Sequence, residues 1–208
     1  MEFKKLEPLS QQRVENVIGW VQQSNSYQDL MMRVLAIVGD LKFGVNSDAF
    51  EQAFDELGRA IGFAAERPDK AWGQGPDNLW CLRNNLYLLV ECKNQVKAER
   101  DGIAKLETGQ INNSYAWFTS QYPGARAACV MVIPTNKLSS AAGFNMDVTI
   151  IKDRNLKLLV ANVQSFFREF ALVNLSENLD RNTIQKWLKA HTLEVEDILS
   201  QYSQAIHK

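Results

Sequence analysis

The segment Leu86-Tyr-Leu-Leu-Val90 runs almost without a polar residue into Glu91-Cys92-Lys93. A short apolar run of this kind lacks the alternation of a half-solvated strand, so both of its faces must be covered. It is expected to be the central strand of a sheet with helices on either side, and that requirement places the chain in the α/β class.

The flanking sequence supplies the rest of such a layer. Positions 63–67 and 77–82 have strand character, and Asn84-Asn85 suits a tight turn between the second and third strands. A helix is expected over 105–121, stopped by Pro123-Gly124, followed by an apolar strand over 127–133 and another over 147–151. Before these strands, Phe50, Ala53, Phe54, Leu57 and Ile61 form the stripe of a helix over 49–61, with Ser47 and Asp48 as candidate caps and Gly62 at its end. The stretch 10–38 reads as a helical hairpin with a polar break at 24–26, and 42–46 as the candidate linker. An amphipathic helix over 153–170 and shorter ones over 182–190 and 193–202 close the chain. The expected division is therefore a helical extension at 1–46, a core at 47–151, and a helical segment at 152–208 packed on that core.

At 208 residues, 46% of them hydrophobic, the chain is long enough for one domain with a helical attachment and apolar enough to bury a core. The formal charge of -1 excludes a uniformly basic surface, so any nucleic-acid contact must use a local patch. Cys81, Cys92 and Cys129 are odd in number and lack a CxxC spacing, which argues against a disulfide framework or a thiolate zinc site. The two histidines, His191 and His207, lie far from the strands, which disfavours a Ser-His-Asp triad or a histidine-rich zinc centre. The first twenty residues hold no apolar signal core, and the longest apolar run, 127–134, falls far short of the roughly 20 residues a membrane helix needs. A soluble, cytoplasmic protein with no membrane partner is expected.

The chemistry concentrates in two places, Gly75-Pro76-Asp77-Asn78-Leu79-Trp80 and Val90-Glu91-Cys92-Lys93-Asn94. An acidic residue opens one strand, and a Glu-x-Lys closes its hairpin partner. Residues i and i+2 of a strand share a face, so Glu91 and Lys93 point the same way. Charges at the end of a buried apolar run are costly without a partner.

These residues resemble the PD-(D/E)xK nuclease superfamily over about positions 50–133. Within it, "FEQAFDELGRAIGF", "ERPDKAWGQGPDNLW", "LLVECKN" and "KLETGQINNSYAWF" look most like the restriction-endonuclease-like domains attached to bacterial helicases and defence proteins. The resemblance implies a restriction-endonuclease-like core of helix, three strands, helix and strand, with helical extensions at both ends. It implies a Mg2+-dependent endonuclease, with Mn2+ able to substitute, acting on DNA with RNA as the alternative. A helicase or other defence-system partner, or a homodimer, would accompany it. Asp77 and Glu91 would be metal ligands, with the Cys92 carbonyl as a further one, and Lys93 would orient water or stabilise developing charge. Two carboxylates about 4 Å apart repel by roughly 4 kcal/mol at an effective dielectric of 20, and a bound cation relieves that repulsion.

The superfamily often adds an acidic residue from the helix before the strands, for which Glu51 and Glu56 compete. At about 100° per residue Glu51 flanks the apolar stripe more closely, and Glu51 is the choice. Gln110 matches a position where similar nucleases carry a polar residue facing the site, and Asn113 and Trp117 share its helix face. The glutamine-to-tyrosine motif of recombination exonucleases would place Tyr where Ser114 stands, one residue before Tyr115. Trp72, Trp80 and Trp117 could stack on bases, although core packing is the commoner use for Trp80 and Trp117. Lys70, Lys97 and Arg100, read as loop residues, are the candidates for phosphate contacts, and a local basic excess between 126 and 170 offers a further flank. A Walker-type P-loop is absent from the sequence, so no nucleotide-driven motor lies in these residues. The competing reading is an inactive nuclease-fold module that binds nucleic acid or protein.

Overall fold

The computed structural model describes residues 3–9, 12–97, 99–177 and 179–207. It is an α/β fold around a five-stranded mixed sheet. Two helices come first, α1 (Arg13–Val21) and α2 (Tyr27–Asp40), followed by α3 (Ser47–Ala60). Strand β1 (Ala64–Glu66), the short helix α4 (Pro68–Trp72), β2 (Asn78–Arg83) and β3 (Leu86–Cys92) lead to α5 (Lys105–Gln121). Strands β4 (Arg126–Val132) and β5 (Val148–Ile151) complete the sheet, and α6 (Asp153–Arg168), α7 (Arg181–Ala190) and α8 (Val195–Ser200) close the chain.

The strands lie in sequence order, β1-β2-β3-β4-β5. The first three form an antiparallel meander, whereas β4 runs parallel to β3, and β5 parallel to β4. The turn between β2 and β3 places Asn85 at φ 58, a left-handed conformation that asparagine tolerates. Strand β3 is buried at every position, as its apolar run requires.

Alternation along the strands divides the core. Trp80 and Leu82 of β2 and Leu88, Val90 and Cys92 of β3 face one layer, which also contains Val17, Leu30, Leu57, Phe166, Leu188 and Ile198. Both terminal helical segments thus share their apolar cluster with the sheet. Leu79 and Cys81, with Tyr87 and Leu89, face the other layer, built on Ile111 and Phe118 of α5. By the same parity Asp77, Glu91 and Lys93 belong to the α5 side.

Several local expectations change. The cap of α3 is Asn46, whose side chain accepts from Ala49 N at 3.3 Å, so Ser47 is already helical and Asp48 turns to ion pairing. The 42–46 stretch is pinned rather than loose: Gly44 N donates to Asn94 O at 2.8 Å and Asn94 Nδ2 to Val45 O at 2.6 Å. Helix α4 stands where a loop was expected, started by Pro68 and stopped by the left-handed Gly73. Helix α6 ends at Arg168 and tightens into a 3-10 turn over Glu169–Leu172. The expected start of the first helix, position 10, lies outside the described residues; among those described, α1 begins at Arg13 and α2 is capped by Ser26, which accepts from Asp29 N at 3.1 Å. Among the described residues no helix is long and apolar enough to cross a membrane.

Candidate active site

The β2–β3 hairpin brings its two charged ends together. The last rung of the ladder pairs Asn78 with Val90, so Asp77 lies just beyond it, beside the end of β3. There the Cys92 amide donates to Asp77 Oδ2 at 2.6 Å, fixing the carboxylate. Lys93 Nζ stands 3.8 Å from that oxygen and 3.4 Å from Glu91 Oε2. The other oxygen of Glu91, Oε1, accepts from the Ser114 hydroxyl on α5 at 2.6 Å. Two carboxylates and an ammonium from two adjacent strands therefore converge under one helix.

Electrostatics follow from this placement. Glu91 is 4% exposed, and burial together with the charge of Asp77 pushes its carboxyl up to about 7, against the pull of Lys93 and Ser114. Burial works against the Lys93 charge, but Asp77 and Glu91 outweigh it and raise the ammonium above its ordinary range. The Cys92 side chain points to the opposite layer, where its Sγ lies 3.6 Å from Asn78 Oδ1 and burial drives the thiol well up. Only its carbonyl remains as a ligand candidate.

Asp77, Glu91, Lys93, Gln110, Asn113 and Ser114 line one cleft of about 370 Å3, together with Trp117, Gly75, Gln74 and Asp69. A β-carbon on Gly75 would lie 2.8 Å from the Trp117 ring, so glycine lets the loop before β2 pack against that indole. Trp80, by contrast, is fully buried against Gly58 of α3.

Glu51 sits beside the cleft rather than in it. Its Oε2 accepts from Arg67 Nη2 at 2.5 Å, and Arg67 also holds Asp48 at 2.8 Å. The Glu51 carbonyl accepts from Asn78 Nδ2 at 2.8 Å, which anchors α3 next to Asp77. Burial and the nearby Asp77 charge raise the Glu51 carboxyl, with Arg67 opposing. Glu56 points elsewhere and accepts from Gln52 at 2.8 Å. As placed, Glu51 is an arginine-paired neighbour of Asp77, outside the cleft lining. Among the described residues no three His, Cys, Asp or Glu side chains form a metal cluster. The remaining donors, two carboxylates and a carbonyl, are hard oxygens of the kind Mg2+ accepts while keeping waters.

The three phosphate-contact candidates do not form a track. Arg100 is committed to Glu107 through two bonds of 2.8 and 2.5 Å and to the Gly102 carbonyl at 2.9 Å. Lys70 is on α4, not in a loop, and pairs with Asp48 at 3.0 Å. Lys97 is exposed, but it lines a separate shallow depression with Glu99 and Asp101. The sequence reading missed the role of Ser114; its place four residues after Gln110, on the same helix face, was the available signal. Comparison of the chain with models of protein families, with curated proteins and with solved structures finds no match.

Proposed function

We propose that the chain is a metal-dependent nuclease with a restriction-endonuclease-like core, hydrolysing phosphodiester bonds in DNA as an endonuclease of the PD-(D/E)xK kind. The observation that carries this reading is the convergence of Asp77, Glu91 and Lys93 at the end of a buried hairpin, with Glu91 pushed up to about 7. The order of α3, a three-stranded meander, α5 and a parallel β4 supports it. Asp77 and Glu91, with the Cys92 carbonyl, would hold Mg2+ or Mn2+. Such an ion, when bound, stabilises negative charge on a phosphate and lowers the pKa of a water. The chain's own groups prepare the place: the Cys92 amide orients Asp77, the Ser114 hydroxyl orients Glu91, and Lys93 sets a positive charge beside both. A helicase or other defence-system partner rests on the motif resemblance alone.

The test is incubation of the purified chain with Mg2+ or Mn2+ and circular or linear DNA, beside Asp77→Ala. Metal-dependent cleavage is expected from the parent and none from the variant, with both folded by circular dichroism. Equal cleavage by Asp77→Ala would exclude the site. Metal-independent DNA binding without cleavage by the parent would favour an inactive binding module.

A further inference from the structure

Nucleic acid can be held by its phosphates or by its bases, and the cleft is furnished for the second. Lys93 is the one cation that lines it among the described residues, against the three carboxylates of Asp69, Asp77 and Glu91. Arg67 is held by Glu51 and Asp48, and Arg100 by Glu107, both largely buried in their pairs. Lys70, in a solvent-exposed pair with Asp48, and the exposed Lys97 lie outside the cleft lining. A duplex hides its bases in the stack and is gripped mainly through its phosphates, which calls for a row of available cations. Among the described residues the cleft lining itself holds no such row, only Lys93.

What the cleft does offer is three carboxamides and an indole. Gln74, Gln110 and Asn113 are exposed, and each brings a carbonyl acceptor and an amino group with two donors, the set that reads the edge of an unpaired base. Trp117 is half-buried and stands one helical turn beyond Asn113. Its ring is positioned by the close approach of Gly75 and by ring contacts with Phe3 and Tyr122, centroids 5.6 and 6.0 Å away, so it offers the cleft an aromatic wall. A volume of about 370 Å3 is at the lower end of small-molecule pockets, suited to one nucleotide and too small for a base pair with its two backbones.

We propose that this cleft takes one unpaired nucleotide, with its base against Trp117 and its edge read by Gln110, Asn113 and Gln74, so that the substrate is single-stranded. The inference rests on the reading of Asp77, Glu91 and Lys93 as a phosphodiester site and names the substrate that site accepts. Affinity then comes from stacking and carboxamide contacts more than from charge. Binding should show a shallow salt dependence, with a slope of about -1 or shallower, since the one lining cation neutralises about one phosphate, at about 0.7 per phosphate.

The experiment is fluorescence anisotropy of the full chain in Ca2+ with a labelled twelve-nucleotide DNA strand, and with the same strand annealed to its complement, across a salt series. Roughly tenfold tighter binding of the single strand is expected. The double variant Gln110→Ala/Asn113→Ala, both positions exposed and safe for folding, should lose about tenfold on the single strand and nothing on the duplex. Duplex bound as tightly as single strand, no binding of either, or an unaffected double variant would each overturn the inference. Mg2+-dependent hydrolysis of bis(p-nitrophenyl) phosphate, which carries no base, examines the hydrolytic reading separately. Its absence beside single-strand binding would remove the nuclease and keep this cleft, while its presence beside equal duplex binding would do the reverse.

Discussion

Glu91→Gln should make the metal-free protein more stable at pH 8 while abolishing cleavage. In the unfolded chain the Glu91 carboxyl titrates near 4.5, whereas in the fold burial and Asp77 push it up to about 7. Between those values the folded chain binds a proton that the unfolded chain does not, so stability falls as pH rises through the window and stays low above it. At about 1.4 kcal/mol per pH unit, the ionised carboxylate costs roughly 3 kcal/mol at pH 8 relative to pH 4.5. Glutamine matches the protonated acid in shape and can still accept from Ser114, but Lys93 loses a partner. The net gain at pH 8 should therefore be about 1–3 kcal/mol, shrinking toward zero near pH 5. Urea unfolding in EDTA at both pH values measures it. Adding Mg2+ should then stabilise the parent alone, by about 2.7 kcal/mol at a hundredfold excess over its Kd. If Glu91→Gln is the less stable protein in EDTA at pH 8, the carboxylate is a net stabilising partner of Lys93 and the argument from strained, metal-awaiting charges fails.

Lys93→Ala should lower turnover by about a hundredfold or more, with DNA affinity within several-fold of the parent, because the ammonium acts on charge that develops during reaction. Its removal also takes away the cation that holds the Glu91 carboxyl down, so the acidic limb of the rate profile should move to higher pH, as stopped assays across pH 6–9 would show. Arg100→Ala should cost about 2–4 kcal/mol in urea unfolding, since it strands the buried Glu107, and leave the salt slope of DNA binding unchanged. Gly58→Ala should destabilise by about 1–3 kcal/mol or more by thermal melting, since its β-carbon would lie 2.5 Å from Trp80 Cε2.

How much of this molecule could be read before folding depends on whether a feature is set by the backbone period or by a distant partner. Strand β3 was legible because an apolar run of five residues leaves little alternative to a central strand; the strand starts with that run at Leu86 and extends two residues past it, to Cys92. The shared face of Glu91 and Lys93 followed from a period of two, and the fold adds Asp77 through the hairpin that Asn84-Asn85 turns. Helix α4 was not legible, since five residues span little more than one turn and show no periodicity.

The cations mark the limit most clearly. Lys70, Lys97 and Arg100 look alike in a sequence, as basic residues near the motif. In the fold they part: Arg100 is taken up by Glu107, Lys70 stands in an exposed pair with Asp48, and Lys97 is exposed beside a separate depression. The two pairings depend on the start of α3 and the first turn of α5, elements that meet these cations only in the fold. Charge composition near a motif therefore says little about a polyanion track, while strand parity says much about which charged side chains converge. In this chain the two would lead to different proposals: the motif resemblance alone implies DNA in general, whereas a cleft lined by one cation and three exposed carboxamides is the basis for proposing an unpaired strand.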